Sequence, residues 1–149
     1  MYEIIRLRAE RGKLLKKYLT EHLNEYQIRS PEDFASIAIK YIDNEDRKIL
    51  LAACLSTQNK LLFLNCCHIG TLDMNLTSPR EVFKIVIMQN AASILVAHNH
   101  VSANCTSSPE DIRVTKRLQQ AGEILSVELI DHLIVTSNKF TSLKERGYF

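Results

Sequence analysis

The sequence is poor in the residues that break regular structure, with four glycines and three prolines in 149 positions. That scarcity excludes a collagen-like chain and a Gly/Pro-rich disordered one. No apolar run approaches the roughly 20 residues that span a bilayer, so no membrane partner is expected. The opening Met1-Tyr2-Glu3-Ile4-Ile5-Arg6-Leu7-Arg8 lacks the basic segment, apolar core and cleavage site of a signal peptide, and the expected location is the cytoplasm. A dominant charge is missing too. Nineteen Lys and Arg against seventeen Asp and Glu leave a net +2, too little to imply a polyanionic partner by itself, although basic residues gather toward the N-terminus. The four cysteines, Cys54, Cys66, Cys67 and Cys105, lack zinc-ribbon spacing, and a chain of this size without an export signal has no need of bridges. All four are expected to be free thiols.

What is present is 46% hydrophobic and 24% charged sequence, enough for one globular domain to bury its own core. From Lys13 to Tyr26 apolar residues recur at three and four positions, an amphipathic helix that packs on the domain or on a second copy, which would make a homodimer. Residues 1–29 read as a helical extension and 30–149 as the domain proper. A helix is expected from Ser30-Pro31-Glu32-Asp33 through Tyr41, because serine caps, proline suits the first turn and acids favour the positive end. Ile49 to Leu55 and Lys60 to His68 read as a β-hairpin around Ser56-Thr57-Gln58-Asn59. A buried helix follows from Ser78-Pro79 to about Asn90, then an apolar strand from Ser93 to Ala97. After a polar loop, Ser108-Pro109-Glu110-Asp111 opens a helix that should stop at Gly122. Two short strands, Val127 to Leu129 and His132 to Val135, complete the sheet, with Phe140 to Leu143 at its margin. Strands and helices in this order indicate an α/β or α+β layered domain, a mixed sheet flanked by helices.

The chemistry concentrates after the Ser93 strand. His98 and His100 are two apart, so on extended backbone both imidazoles point to one side and can address one ion, while Asn99 faces away. Asp111, in the first turn of the next helix, can supply a third ligand. Three protein ligands leave a fourth position for water, which a catalytic zinc activates to a pKa of about 7. The competing reading of Asp111 is a simple helix cap, since Ser30 to Asp33 repeats the same four residues without histidines upstream.

His98-Asn99-His100, Ser102, Ser108, Asp111 and Thr115 fall at the spacing of the His-Asn-His-Pro-Ser, Pro-Ser, Asp and Thr motif of the RadC family, whose JAMM (MPN+) domain this sequence resembles. Gly70-Thr71-Leu72, Pro79-Arg80-Glu81-Val82-Phe83, Asn90-Ala91-Ala92 and Asp131-His132 extend the match from about Ser30 to the C-terminus. The resemblance implies the JAMM/MPN, cytidine deaminase-like architecture, with Zn2+ held by His98, His100 and Asp111. It also implies that Ser108 hydrogen-bonds the activated water or the oxyanion, and that peptide or isopeptide bonds of a protein substrate are hydrolysed. The helix-hairpin-helix of longer RadC proteins is not seen in the first residues; DNA as a partner rests on the family's historical DNA-repair label and the basic N-terminal helix.

The sequence departs from the family at one chemically important point. Aligning Leu55-Ser56-Thr57-Gln58-Asn59 with the family's Leu-Asp-Thr-Gln-Asn puts Lys48 where the class has its general-base glutamate. Glu45 would face the opposite side of a regular strand, and Asp46 shares the face but lies roughly 6 to 7 Å along it. Two readings follow: a zinc hydrolase that recruits Glu45 or Asp46 through a strand irregularity, or a binding and assembly module that keeps the metal cavity. Val101 also replaces the family's proline, and Ala103-Asn104 its Gly-Asp. His68 and His132 read as hydrogen-bonding strand histidines, Cys105 as an exposed thiol, and His22 as remote from the site.

Overall fold

The computed structural model describes residues 26–42, 46–69 and 78–149. The expected N-terminal helix with His22, the Gly70-Thr71-Leu72 match and Glu45 lie outside them. The elements run α1 (Pro31–Ile42), β1 (Ile49–Leu55), β2 (Leu61–Ile69), α2 (Pro79–Met88), β3 (Ser93–Asn99), α3 (Pro109–Leu125), β4 (Glu128–Val135) and β5 (Phe140–Ser142). The strands form one mixed sheet in the order β2-β1-β3-β4-β5. β1 runs antiparallel to both β2 and β3, β3 and β4 are parallel, and β5 returns antiparallel on β4.

Period-two alternation divides the core between the two faces of this sheet. Leu51, Ala53, Leu55, Leu95, Ala97, Leu133 and Val135 pack with Phe34, Ile37 and Ala38 of α1. Leu50, Ala52, Cys54, Ile94, Val96 and Leu129 pack on the other face with Val82, Phe83 and Val86 of α2 and Val114 and Leu118 of α3. Every residue of β1 and β3 is buried, as a strand covered by helices on both sides requires. Each large apolar side chain so placed contributes about 1.5–3 kcal/mol of transfer free energy.

Three boundaries differ from the sequence reading. β3 continues past Ala97 to Asn99 because both neighbours keep pairing with it: His98 is opposite Leu50 on β1 and Ile134 on β4. The two short C-terminal strands are one strand, β4, with an irregularity opposite Ile94/Leu95. The carboxylate of Asp131 inside it is buried but satisfied, by the backbone N–H of His132 (2.7 Å) and of Lys144 (3.2 Å) and by the Ser142 hydroxyl. Helix α3 does not stop at Gly122 but runs to Leu125, ending on Ser126 in the left-handed region at φ 59°. Gly122 serves packing instead, since a Cβ there would collide with the carbonyl of Val127, whose N–H donates to the Gly122 carbonyl at 2.8 Å.

Among the described residues no helix is long and apolar enough to cross a membrane.

Candidate metal centre

His98 belongs to the face of β3 that carries Ile94 and Val96, which is the face α3 covers. The first turn of α3 therefore lies over the carboxyl end of β3, and Asp111 meets the two histidines there. His98 Nε2 lies 3.1 Å from Asp111 Oδ1, and His100 Nε2 lies 3.3 Å from Asp111 Oδ2. The two Nε2 atoms are 3.2 Å apart. His98 is wholly buried and Asp111 is 2% exposed, whereas His100 is half-buried at the mouth.

The orientation of Asp111 follows from helix capping. Its backbone N–H donates to Ser108 Oγ at 3.2 Å, and its Oδ2 accepts the backbone N–H of Ser108 at 2.8 Å. This reciprocal capping box satisfies two of the amide groups that every helix start leaves unpaired. Capping and participation in the site are thus not alternatives, because the cap turns the carboxylate toward the histidines.

His100 is oriented by the loop that follows it. Its Nδ1 lies 2.9 Å from the carbonyl oxygen of Asn104. A carbonyl only accepts, so Nδ1 carries a proton; Nε2 then donates to Asp111 when the ring is protonated and turns a bare lone pair toward it when the ring is neutral. His98 also has its Nδ1 engaged, 2.7 Å from His132 Nε2. Two imidazole nitrogens and a carboxylate thus converge within 4.8 Å of one another, and this is the one such group of His, Cys, Asp and Glu found among the described residues. Two imidazole nitrogens with one carboxylate are a donor set for a divalent metal ion. The residues fit a metal ion.

The electrostatics agree. Burial would raise the pKa of Asp111, yet the hydrogen bonds that His100 and His98 give it when protonated at Nε2, with that of the Ser108 N–H, hold it well below the usual carboxylate range. Burial lowers the pKa of His98, with Asp111 opposing, and His98 therefore favours the neutral form that a metal needs. His100 is raised, chiefly by its hydrogen bond to Asp111. The charge of Lys48 lowers both histidines. Lys48 is two residues before Leu50, which is paired with His98, so strand parity places it on the same face as the site.

The other sequence candidates are distributed unevenly. Ser108 is at the site as the cap of α3. Asp46 is not: its side chain is 91% exposed and pairs with Arg47 at 3.7 Å. It lies in a bend rather than a strand, so the parity that would align it with Lys48 does not apply. Cys105 is free but half-buried rather than exposed, its Sγ donating to Thr136 Oγ1 at 3.6 Å. Cys54 is also free, and burial pushes its thiol up to about 12, which makes it inert.

Three residues that the sequence named make contacts that it did not give. His132 does hydrogen-bond on its strand, but its partner is His98 itself. Thr115, the motif threonine, lies one helical turn after Asp111 and 2.6 Å from His132 Nδ1. Asn99 does turn to the opposite face, where it clamps the start of β1. Its Oδ1 accepts from Ile49 N at 2.6 Å and its Nδ2 donates to Arg47 O at 2.9 Å, gripping the backbone on both sides of Lys48. Beside His100 lies an open cavity of about 250 Å³ whose lining includes Ile39, Ile42, Asn99, Val101 and Thr136.

Comparison with known proteins agrees with this geometry. A family model described as a RadC-like JAB domain matches residues 28–148. A UPF0758 protein of Desulforamulus reducens (strain ATCC BAA-1160 / DSM 100696 / MI-1) is 45% identical over 120 residues, covering 80% of this chain and 53% of its own length. A UPF0758 protein of Geobacillus sp. (strain WCH70) is 46% identical over 123 residues, 83% of this chain and 54% of its own. A UPF0758 protein of Clostridium botulinum (strain Okra / Type B1) is 39% identical over 142 residues, 93% of this chain and 60% of its own. The chain spans little more than half the length of these curated relatives. With a matching family model over most of its length and a His-His-Asp group at the end of a central strand, the chain belongs to the RadC-like JAB domain family.

Proposed function

We propose that this chain holds zinc at His98, His100 and Asp111 and hydrolyses peptide or isopeptide bonds of a protein substrate. The convergence of the three ligand atoms carries the reading. When bound in a three-ligand site, zinc supplies Lewis acidity and a water acidified to a pKa of about 7. The protein's part is orientation. Asn104 fixes the ring of His100, and the capping box fixes Asp111. Ser108 Oγ accepts from Asp111 N, which leaves its O–H to donate toward an oxyanion.

Lys48 favours a second reading, a JAMM-like module that binds its partner and turns it over weakly. A charged ammonium cannot accept the proton that the class passes to its leaving amine, and loss of a general base costs about 10² to 10⁴-fold. Asp46 points to solvent.

One assay separates the two. Zinc-loaded wild type, Asp111→Ala and Lys48→Glu are incubated with peptide and isopeptide-linked substrates. Cleavage by wild type that Asp111→Ala abolishes supports the hydrolase. An inert, fully zinc-loaded wild type rejects it, and a gain of about 10² or more on Lys48→Glu then establishes the module.

A further inference from the structure

We infer that His132 and Thr115 are positioning residues for the metal, fixing His98 in the tautomer whose Nε2 turns a bare lone pair toward the site. This rests on the metal reading above. His98 Nδ1 is 2.7 Å from His132 Nε2, and His132 Nδ1 is 2.6 Å from Thr115 Oγ1. Thr115 Oγ1 is in turn 2.7 Å from the backbone carbonyl oxygen of Asp111. All three side chains are fully buried, so their hydrogen bonds are decided within the protein.

The direction of the chain follows from counting protons. The Asp111 carbonyl can only accept, so the single Thr115 hydroxyl proton goes to it. Thr115 Oγ1 then accepts, and His132 Nδ1 carries a proton. A neutral imidazole has one such proton, so His132 Nε2 accepts and His98 Nδ1 donates to it. His98 Nε2 is left with its lone pair toward Asp111 Oδ1 and His100 Nε2, 3.1 and 3.2 Å away, facing acceptors that a cation held between them would satisfy. The reverse direction would set the Thr115 hydroxyl oxygen and the Asp111 carbonyl oxygen lone pair to lone pair at 2.7 Å. It would also aim a His98 N–H at the place a cation must occupy.

The chain closes on the residue it serves. Asp111 gives the site its carboxylate and gives the far end of the chain its carbonyl. β3, β4 and the first turn of α3 are thereby tied together by side chains around one point. Partners of this kind set the tautomer and ring orientation of a ligating histidine, and losing one costs about 10- to 100-fold in metal affinity.

The test uses the whole chain. In ¹⁵N-labelled, zinc-loaded wild type, two-bond proton–nitrogen correlations should show protons on Nδ1 of both His98 and His132, with His98 Nε2 on the metal. In a competition against a zinc chelator, Thr115→Val should bind zinc about 10- to 100-fold more weakly, and Thr115→Ser, which keeps the hydroxyl, should restore wild-type affinity. A proton on His132 Nε2 in the zinc-loaded wild type overturns the inference, and that spectrum decides even where Thr115→Val fails to fold. Equal zinc affinity of wild type and Thr115→Val overturns it as well. A wild type that takes up no zinc overturns the metal reading and this inference with it, so the two failures are distinguishable.

Discussion

Two helices of this protein open with the same four residues, Ser30-Pro31-Glu32-Asp33 and Ser108-Pro109-Glu110-Asp111. Locally they behave alike. The aspartate N–H donates to the serine hydroxyl at 3.3 Å in α1 and 3.2 Å in α3. Each carboxylate takes a backbone N–H just ahead of its helix, from Arg29 at 2.8 Å and from Ser108 at 2.8 Å. Both solve the same problem of unpaired first-turn amides. The difference is what stands opposite. Asp33 is partly exposed and belongs to no ligand group among the described residues; Asp111 is buried against two imidazoles. A short motif fixes local backbone, and the tertiary neighbours assign its chemistry.

Exchanging the aspartates for alanine in parallel would break this comparison most directly. Asp111→Ala should lose zinc by more than the roughly 10- to 100-fold that an outer partner costs, because it removes a ligand. Asp33→Ala should leave zinc affinity unchanged. Equilibrium dialysis on both decides, and similar losses in the two variants would show that helix integrity, not ligation, governs the site.

Acidification should separate the two helix starts next. In the unfolded chain histidines titrate near a pH of about 6.5. Burial lowers His98 and His132 in the folded protein, His132 well below that value. Between the folded and unfolded values the unfolded chain binds more protons, so the contribution of these groups is complete above about pH 6.5 and is lost as pH falls. His100, raised by Asp111, works the other way: its contribution is present below about 6.5 and disappears as pH rises through its folded value. Because His132 is displaced furthest and His98 acts in the same direction, the denaturant midpoint of the metal-free protein should fall between about pH 6.5 and 5. The slope should be shallower in His132→Gln. A midpoint that is flat or rises over that interval would contradict this assignment.

Much of this was readable in the sequence, for identifiable reasons. Helices α1, α2 and α3 announce themselves through Ser-Pro starts followed by apolar periodicity, and β1 and β3 through short apolar runs. The spacing of His98 and His100 on one strand face is a local property, so it was legible too. What was not legible is whatever depends on register between distant segments. His132 meets His98 across 34 positions, and Asn99 holds Arg47 and Ile49 from about fifty away. Gly122 looked like a helix stop because its reason for being glycine, the carbonyl of Val127, lies beyond the helix end. Asp46 could serve only through a strand irregularity, and the bend in which it lies turns it to solvent rather than to the site.

Removing only the serine hydroxyls refines the contrast on a smaller scale. Ser30→Ala and Ser108→Ala should each cost about 0.5–2 kcal/mol, the usual loss for a helix cap, measured by denaturant titration. Only Ser108→Ala should also weaken zinc binding, because the hydroxyl holds the turn that aims Asp111. Equal zinc affinity in wild type and Ser108→Ala would confine that serine to stability.

The smallest effect belongs to a third carboxylate, Asp46, which has neither a cap nor a buried partner. Its side chain is 91% exposed and its pair with Arg47 spans 3.7 Å, and an exposed pair of this kind contributes about 0–1 kcal/mol. Asp46→Asn should therefore leave stability within about 0.5 kcal/mol of wild type and leave zinc affinity and any cleavage rate unchanged. Lys48, two residues on, faces the site and bears on both histidines, so a charge change there should register where one at Asp46 does not. A marked loss of cleavage on Asp46→Asn would mean that the 46–48 segment turns inward when substrate binds, and it would return Asp46 to the role of general base.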